Sequence, residues 1–380
     1  MLKKHPKRIA IHRRRARLLV DLGEPDQAIA AHRTILRLTP GDRTSREEYI
    51  AMLAQIERHD EAIAQLRALA EQHPDDAELQ FRLAGMLHAA NKTDEAVAAA
   101  GQYVAKSDGS EYAHLRAAKL LLRFERPEAA GAIYEKLVRT KPDSIAAKEA
   151  QAAFLYSQEK KEAALAIWLE LAADADVNQT LQVARAMATR GEHEAAFELL
   201  SSRADEFSDE PLFLGQLVTS AITQKAYEQA IAWGQRRVQL ADAAGTLEAA
   251  LEQTALACDR ADKMEEVAAE LANMSDRTVQ QTCLLAELRE RLGDSRVADA
   301  VLAEGEVADH VLGVSQQIRL HQSRRDWAQA AAATRRILKM PGGRKSTHIR
   351  RLVELYQRDN QFAEALGWID AWKQISPGST

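Results

Sequence analysis

Glycine and proline are scarce in this chain, 17 and 9 among 380 residues, and aromatic residues make up 5% of it while hydrophobic residues as a whole make up 46%. Alanine and leucine therefore supply most of the apolar mass. A β-sandwich or barrel needs turn residues roughly every 8–12 positions, and this composition does not provide them. The two cysteines, Cys258 and Cys283, cannot build a disulfide framework. They also lack the second Cys or His at short spacing that a zinc site requires, so neither a metal nor a redox cofactor is expected. No run approaches the roughly 18 consecutive apolar residues of a membrane-spanning helix, and the basic N-terminal residues lead into no apolar signal segment. These absences predict no membrane insertion and favour a cytoplasmic location. The expected class is all-α.

What is present is a period. Ala28, Ala62, Ala96, Ala130 and Ala164 recur at steps of 34 residues. So do Leu19, Leu53, Leu87, Leu121 and Leu155, and likewise Ala16, Ile50, Ala84, Ala118 and Ala152, while Pro6, Pro40 and Pro74 share the register with Pro142. Each column holds a residue suited to one task. Small residues let two helices approach closely, a Leu three positions on fills the next turn of the same face, and Pro ends a helix that it cannot continue. Short polar turns such as Gly23-Glu24-Pro25-Asp26 and Asn91-Lys92-Thr93-Asp94 split each period into two helical stretches.

These columns resemble the tetratricopeptide repeat family, whose unit carries a small residue and then a large one in its first helix, Ala-x3-aromatic in its second, and Pro at the end. Ala118-x2-Leu121, Ala130-x3-Tyr134 and Pro142 make the fullest match. Trp is missing from the start of the first helices, His32 and Ala100 replace the aromatic, and Asp108 and Asp176 stand where Pro would be. Beyond residue 178 the Ala column continues through Ala196, Ala230, Val267, Ala298, Ala330 and Ala365 at steps of 32, 34, 37, 31, 32 and 35.

The expectation is one α-solenoid over 1–380 with eleven units: regular to 178, looser over 179–240, irregular over 241–310, and two last repeats over 311–380. Ala244-Gly245-Thr246 and Met274-Ser275-Asp276 read as loops, and a break in the array is expected within the irregular stretch. The resemblance implies a right-handed superhelix with first helices lining a concave groove. Residues 1–6 read as the last turn of an earlier repeat, and Ile375-Ser376-Pro377-Gly378 follows without a polar capping helix. Both features predict a segment of a longer protein.

Catalytic signatures are missing: there is no phosphate-binding loop, no dinucleotide fingerprint, no nucleophile elbow and no His-Glu-x-x-His. The reading is non-enzymatic. Glu192-His193-Glu194 lies in an inter-helix turn and is not counted as a site. All five tryptophans fall in second helices, where packing needs bulk. Charge is unevenly spread, with a net +8 over residues 1–46 and −13 over the rest. The basic run Arg13-Arg14-Arg15-Ala16-Arg17 spreads round its helix.

On the fourth first helix Tyr112, Arg116, Lys119 and Arg123 form one stripe at i, i+4, i+7 and i+11. Arg13, Arg17, Arg82 and Arg185 occupy matching places in other units, and Glu78 and Arg82 are expected to neutralise one another in part at i, i+4. These eight residues predict a groove for a protein or peptide partner, an acidic one by its charge. The alternatives are a nucleic-acid-binding repeat, against which it counts that the basic stripe does not continue and the aromatics lie in second helices, and a scaffolding arm of a larger enzyme or secretion complex. The Lys-Asn-Asn-Lys-Arg clamp of chaperone-binding relatives is absent.

Overall fold

A computed structural model describes residues 6–341 and 346–375. The expected features at residues 1–5 and 376–378 lie outside them. Among the described residues there are helices and no strand. They divide into two compact units, one up to Leu171 and one from Ala172.

The first unit is a run of helix pairs: α1 (Pro6–Asp21) with α2 (Pro25–Leu38), α3 (Arg43–Gln55) with α4 (His59–Gln72), α5 (Ala77–Ala89) with α6 (Thr93–Lys106), and α7 (Glu111–Arg123) with α8 (Pro127–Thr140); α9 (Ile145–Ser157) packs on α8, and α10 (Lys161–Ala173) carries the chain to the unit's end. The sequence marks the starts. Asp42 and Ser144 accept hydrogen bonds from the amides of Ser45 and Ala147, capping α3 and α9, and Pro opens α2 and α8, where its missing N–H is not needed.

The second unit continues with α11 (Val177–Ala188) and α12 (His193–Ser202), α13 (Pro211–Thr223) and α14 (Tyr227–Gln239), α15 (Ala244–Arg260) and α16 (Met264–Asn273), and α17 (Val279–Arg291) and α18 (Ser295–Ala303). A single-turn α19 (Gly305–Ala308) precedes α20 (Val311–Ser323) with α21 (Trp327–Ile337), and α22 (Ser346–Arg358) with α23 (Phe362–Ile375). The fold is an all-α solenoid.

Every member of the alanine column, Val267 included, is buried where first and second helices meet. Four residues on, His32, Leu66, Ala100, Tyr134, Trp168, Leu200, Leu271, Leu302 and Thr334 are buried too. The aromatic position of the family is therefore a core position here whatever residue fills it.

Each turn within a pair holds one residue with positive φ: Gly23, Glu57, Asn91, Glu125 and Glu159 in the first unit, then Gly191, Lys225, Asp262, Gly293, Arg325 and Asn360. It ends the first helix by the left-handed closure in which the next amide bonds back across the turn, as Arg58 N–H does to the Leu53 carbonyl at 2.9 Å and Lys92 N–H to that of Leu87 at 2.8 Å. Met274-Ser275-Asp276 is a loop, as read. Ala244-Gly245-Thr246 is instead the first turn of α15, where Thr246 Oγ1 donates to the Ala243 carbonyl at 2.8 Å and accepts from its amide at 3.3 Å.

Candidate functional site

The stripe on α7 forms because its opposite side is committed to the core: Ala113, Ala117, Ala118, Leu120 and Leu121 are all buried. Tyr112, Lys119 and Arg123 are exposed, Tyr112 at 70%. Arg116 differs from them. Its Nη1 and Nη2 donate to the two carboxylate oxygens of Glu78 at 2.5 and 2.8 Å, and Nη1 lies 3.4 Å from the Tyr103 hydroxyl. The guanidinium sits over the Phe81 ring at 3.6 Å from its centroid and 6.0 Å from that of Tyr112. A bidentate pair combined with ring stacking is the geometry arginine favours over lysine. The Glu78 hydrogen bonds hold the Arg116 guanidinium above the ordinary arginine range.

The same pattern runs along the first helices. Arg13 of α1 reaches Glu48 of α3 at 2.7 Å and Asp42 at 3.5 Å. Arg82 of α5 pairs with Glu47 of α3 at 3.3 Å, and Arg43 joins Glu47 to Asp76 at 2.9 and 2.7 Å. The expected Glu78–Arg82 pair within α5 is therefore replaced by two pairs to neighbouring helices, Glu78 with Arg116 and Arg82 with Glu47. Adjacent helix axes lie roughly 8–10 Å apart, which long side chains bridge readily.

The ladder stops after α7. At the positions of α9 that match Tyr112, Arg116, Lys119 and Arg123 stand Ala146, Ala150, Ala153 and Ser157. Among the described residues Lys119 and Arg123 make no ion pair, and neither does Arg17. Arg185 is exposed on α11, in the second unit.

Arg13 and Arg17 also line a recess of 350 Å³ between α1 and α3, with Asp21, Glu48 and Gln55 beside them and His32 of α2 at its edge. His32 is buried and stacks on Tyr49 at 5.5 Å between ring centroids. Burial first, and then the charges of Arg13 and Arg17, push its pKa down to about 4.

No group of three His, Cys, Asp or Glu among the described residues is placed to hold a metal ion. Cys258 and Cys283 are buried, and burial pushes their thiols up to about 11 and about 12. No described helix is long and apolar enough to cross a membrane.

Comparison with known proteins finds a family match within the first unit. Residues 13–66 and 53–111 match the tetratricopeptide repeat family model. No curated protein matches the chain in sequence. Among solved structures it is similar to the Naa15/Naa10 complex bound to HypK-THB, at 12% identity and a TM-score of 0.37, over 98% of this chain and 64% of that one. It is also similar to a tetratricopeptide repeat protein from Parabacteroides merdae, at 12% identity and a TM-score of 0.31, over 65% of this chain and 99% of that one. A third is MamA from residue 41 to its end, from Desulfovibrio magneticus, at 14% identity and a TM-score of 0.30, over 43% and 93% of the two chains. The chain thus spans 64% of the length of the first of these. Tetratricopeptide repeats build protein-interaction scaffolds, and the array supports that general role.

Proposed function

We propose that the chain is a non-catalytic scaffold that holds an acidic segment of a partner protein on the first-helix face around α7 and α9. One observation carries the reading. Arg13, Arg82 and Arg116 are each tied to a glutamate of a neighbouring helix, whereas Lys119 and Arg123 stand exposed on the helix that carries Tyr112, and α9 has small residues at the matching positions. A peptide backbone can lie close over Ala146, Ala150 and Ala153, and its carboxylates then meet the two free cations. Arg116 fixes the floor of this patch through Glu78 and Phe81 and does not itself serve as a free contact.

The test is calorimetric titration with a peptide rich in Asp and Glu. Affinity should fall as salt rises, because exposed charges are screened over about 8 Å at physiological ionic strength. Lys119→Glu with Arg123→Glu should weaken binding by on the order of 1–3 kcal/mol. Arg37→Glu with Lys136→Glu, on the second helices, should change it little. Equal losses in the two pairs, or no binding of the peptide at all, would sink this reading.

A further inference from the structure

Three recesses on this chain are bridged by their own charges. Across one of 890 Å³ between α2 and α4, Arg33 reaches Glu61 at 3.2 Å. One period on, Arg67 is paired with Glu95 across a recess of 460 Å³. Between the α13–α14 and α15–α16 turns, Lys263 lies 3.1 Å from Glu228 across a recess of 530 Å³. A cation held by a carboxylate of the same lining has little left for a ligand.

A smaller recess of 160 Å³ in the second unit is different. It lies between the first turns of α15 and the helices α20 and α22, and its charged lining residues are Glu248, Arg319 and Arg351. No two of them are paired. Arg319 is anchored from behind: Nη2 meets the buried Glu287 of α17, and Nε donates to Gln316 Oε1 at 3.1 Å. Its Nη1 has no partner among the described residues. Glu248 and Arg351 are exposed and make no ion pair among the described residues. Glu248 lies close enough to Arg319 to act on its charge, yet does not close on it. Ser315 and Gln322 line the same space, and their side chains make no hydrogen bond among the described residues. Buried Leu247 and Leu312 add an apolar wall. The volume would hold about five water molecules or one small solute.

We propose that this recess binds a free α-amino acid with a small or aliphatic side chain. Its carboxylate meets Arg319 Nη1 and the Arg351 guanidinium, its ammonium meets Glu248, and its side chain lies against Leu247 and Leu312. Convergent polar groups beside an apolar wall are what a small-molecule site requires. The charge pattern selects the ligand. A simple oxyanion would satisfy the two arginines and leave Glu248 facing it, whereas a molecule carrying both charges a few ångströms apart satisfies all three. A residue inside a peptide chain has neither charge. Residues 311–358, which supply both arginines, hold eleven Lys or Arg and two Asp or Glu in a chain of net charge −5, so the field there draws the carboxylate end inward. The site lies in the second unit and does not depend on the acidic-peptide reading of α7.

Thermal melting of the full chain in a panel of free L-amino acids at millimolar concentration, followed by calorimetric titration with the best of them, tests the proposal. At least one aliphatic member should raise the melting temperature, because a ligand that binds only the folded chain stabilises it. Its N-acetyl and its carboxamide derivatives, each lacking one charge, should not. Arg351→Gln and Glu248→Gln should each weaken binding by about tenfold or more, the effect of losing one hydrogen-bonded charge. Both positions are exposed, so the melt without ligand should stay where it is in the parent. Lys263→Gln, in a recess already bridged, should leave binding unchanged, and so should Lys119→Glu with Arg123→Glu. The proposal is overturned if no amino acid shifts the melt, if either blocked derivative or inorganic phosphate binds as tightly as the free amino acid, or if the Arg351 and Glu248 variants keep the parent's affinity.

Discussion

The first unit and the α15–α20 stretch of the second are made of the same helix pair, yet they treat their first helices in opposite ways. In the first unit the first-helix face is polar and solvated, and its ion pairs lie at the surface, with Glu78 47% and Arg116 30% exposed. In the second, α15 touches α20 across α17, and seven successive residues of α17, from Thr282 to Leu288, are buried. A helix buried on every side has become core. Glu287 is buried with it, paired with Arg319 and, at 2.7 Å, with Arg291, while Gln316 Nε2 donates to it at 3.1 Å. Burial lowers the Arg319 pKa.

The difference follows local sequence. Gly234 occupies the column that holds a residue with a side chain in every other pair, and a Cβ there would fall 2.5 Å from Thr254 Oγ1. A Cβ on Gly313 would fall 2.1 Å from the Val307 carbonyl oxygen. The second helices α16 and α18 are short, with 10 and 9 residues. Small residues and short second helices let the first helices close on one another. A regular period therefore preserves a usable face, and departures from it convert that face into interior.

The largest expected effect tests this contrast directly. Glu287→Ala should cost roughly 3–5 kcal/mol, because it strands desolvated Arg319 without its partner. Glu78→Ala, which removes the carboxylate of a partly exposed pair, should cost about 1 kcal/mol or less. Denaturant unfolding measures both. Hydrogen exchange should place the Glu287 loss in α15–α20 and leave α1–α9 unchanged, since stability in such arrays passes mainly between neighbours. Equal costs, or uniform loss of protection, would dissolve the distinction between the two regions.

A second effect belongs to the first unit alone. His32 has a pKa of about 4 when folded and an ordinary value of 6.5 when unfolded. Between those values the unfolded chain holds a proton that the folded one does not. The stability is therefore fully present above pH 6.5 and is lost as the pH falls toward 4, by up to about 3 kcal/mol. His32→Leu should flatten that part of the pH dependence for unfolding of α1–α4. A variant with the parent's slope would show that His32 is not the group responsible.

How much of this could be read from the sequence depended on whether a residue's task is local. The alanine and leucine columns were legible because helix approach demands a small residue wherever it occurs. The left-handed turn column was half legible. Gly23, Asn91, Gly191, Gly293 and Asn360 advertise it, but Glu57, Glu125, Glu159, Lys225 and Arg325 adopt the same positive φ without any turn signature. The start of α15 was misread because Gly245 and Thr246 look like breakers until the Thr246 hydroxyl is seen closing on Ala243.

The ion pairs were the least legible part. The stripe on α7 follows from helix periodicity, but which of its cations are spent does not. Arg116 and Glu78 stand 38 residues apart, and Arg82 and Glu47 stand 35 apart. Choosing those partners over Glu78–Arg82 requires the lateral spacing of packed helices, which no local pattern encodes.

The smallest effect sharpens the comparison where function is proposed. Lys119 and Arg123 lie at i, i+4 on α7 with no opposite charge paired to either among the described residues. Like charges at that spacing destabilise a helix by about 0.2–0.5 kcal/mol. Lys119→Gln should therefore raise the stability of the first unit by a few tenths of a kcal/mol at low ionic strength, and the gain should vanish as added salt shortens the screening length. The same change at Lys148, whose Nζ lies 2.7 Å from Glu170, should give no gain. Guanidinium chloride would mask the effect, so urea titration at two salt concentrations is the suitable measurement. A loss of stability in Lys119→Gln would mean that the lysine is already engaged within the fold, and the patch around Tyr112 would then lose one of the two cations on which the binding proposal rests.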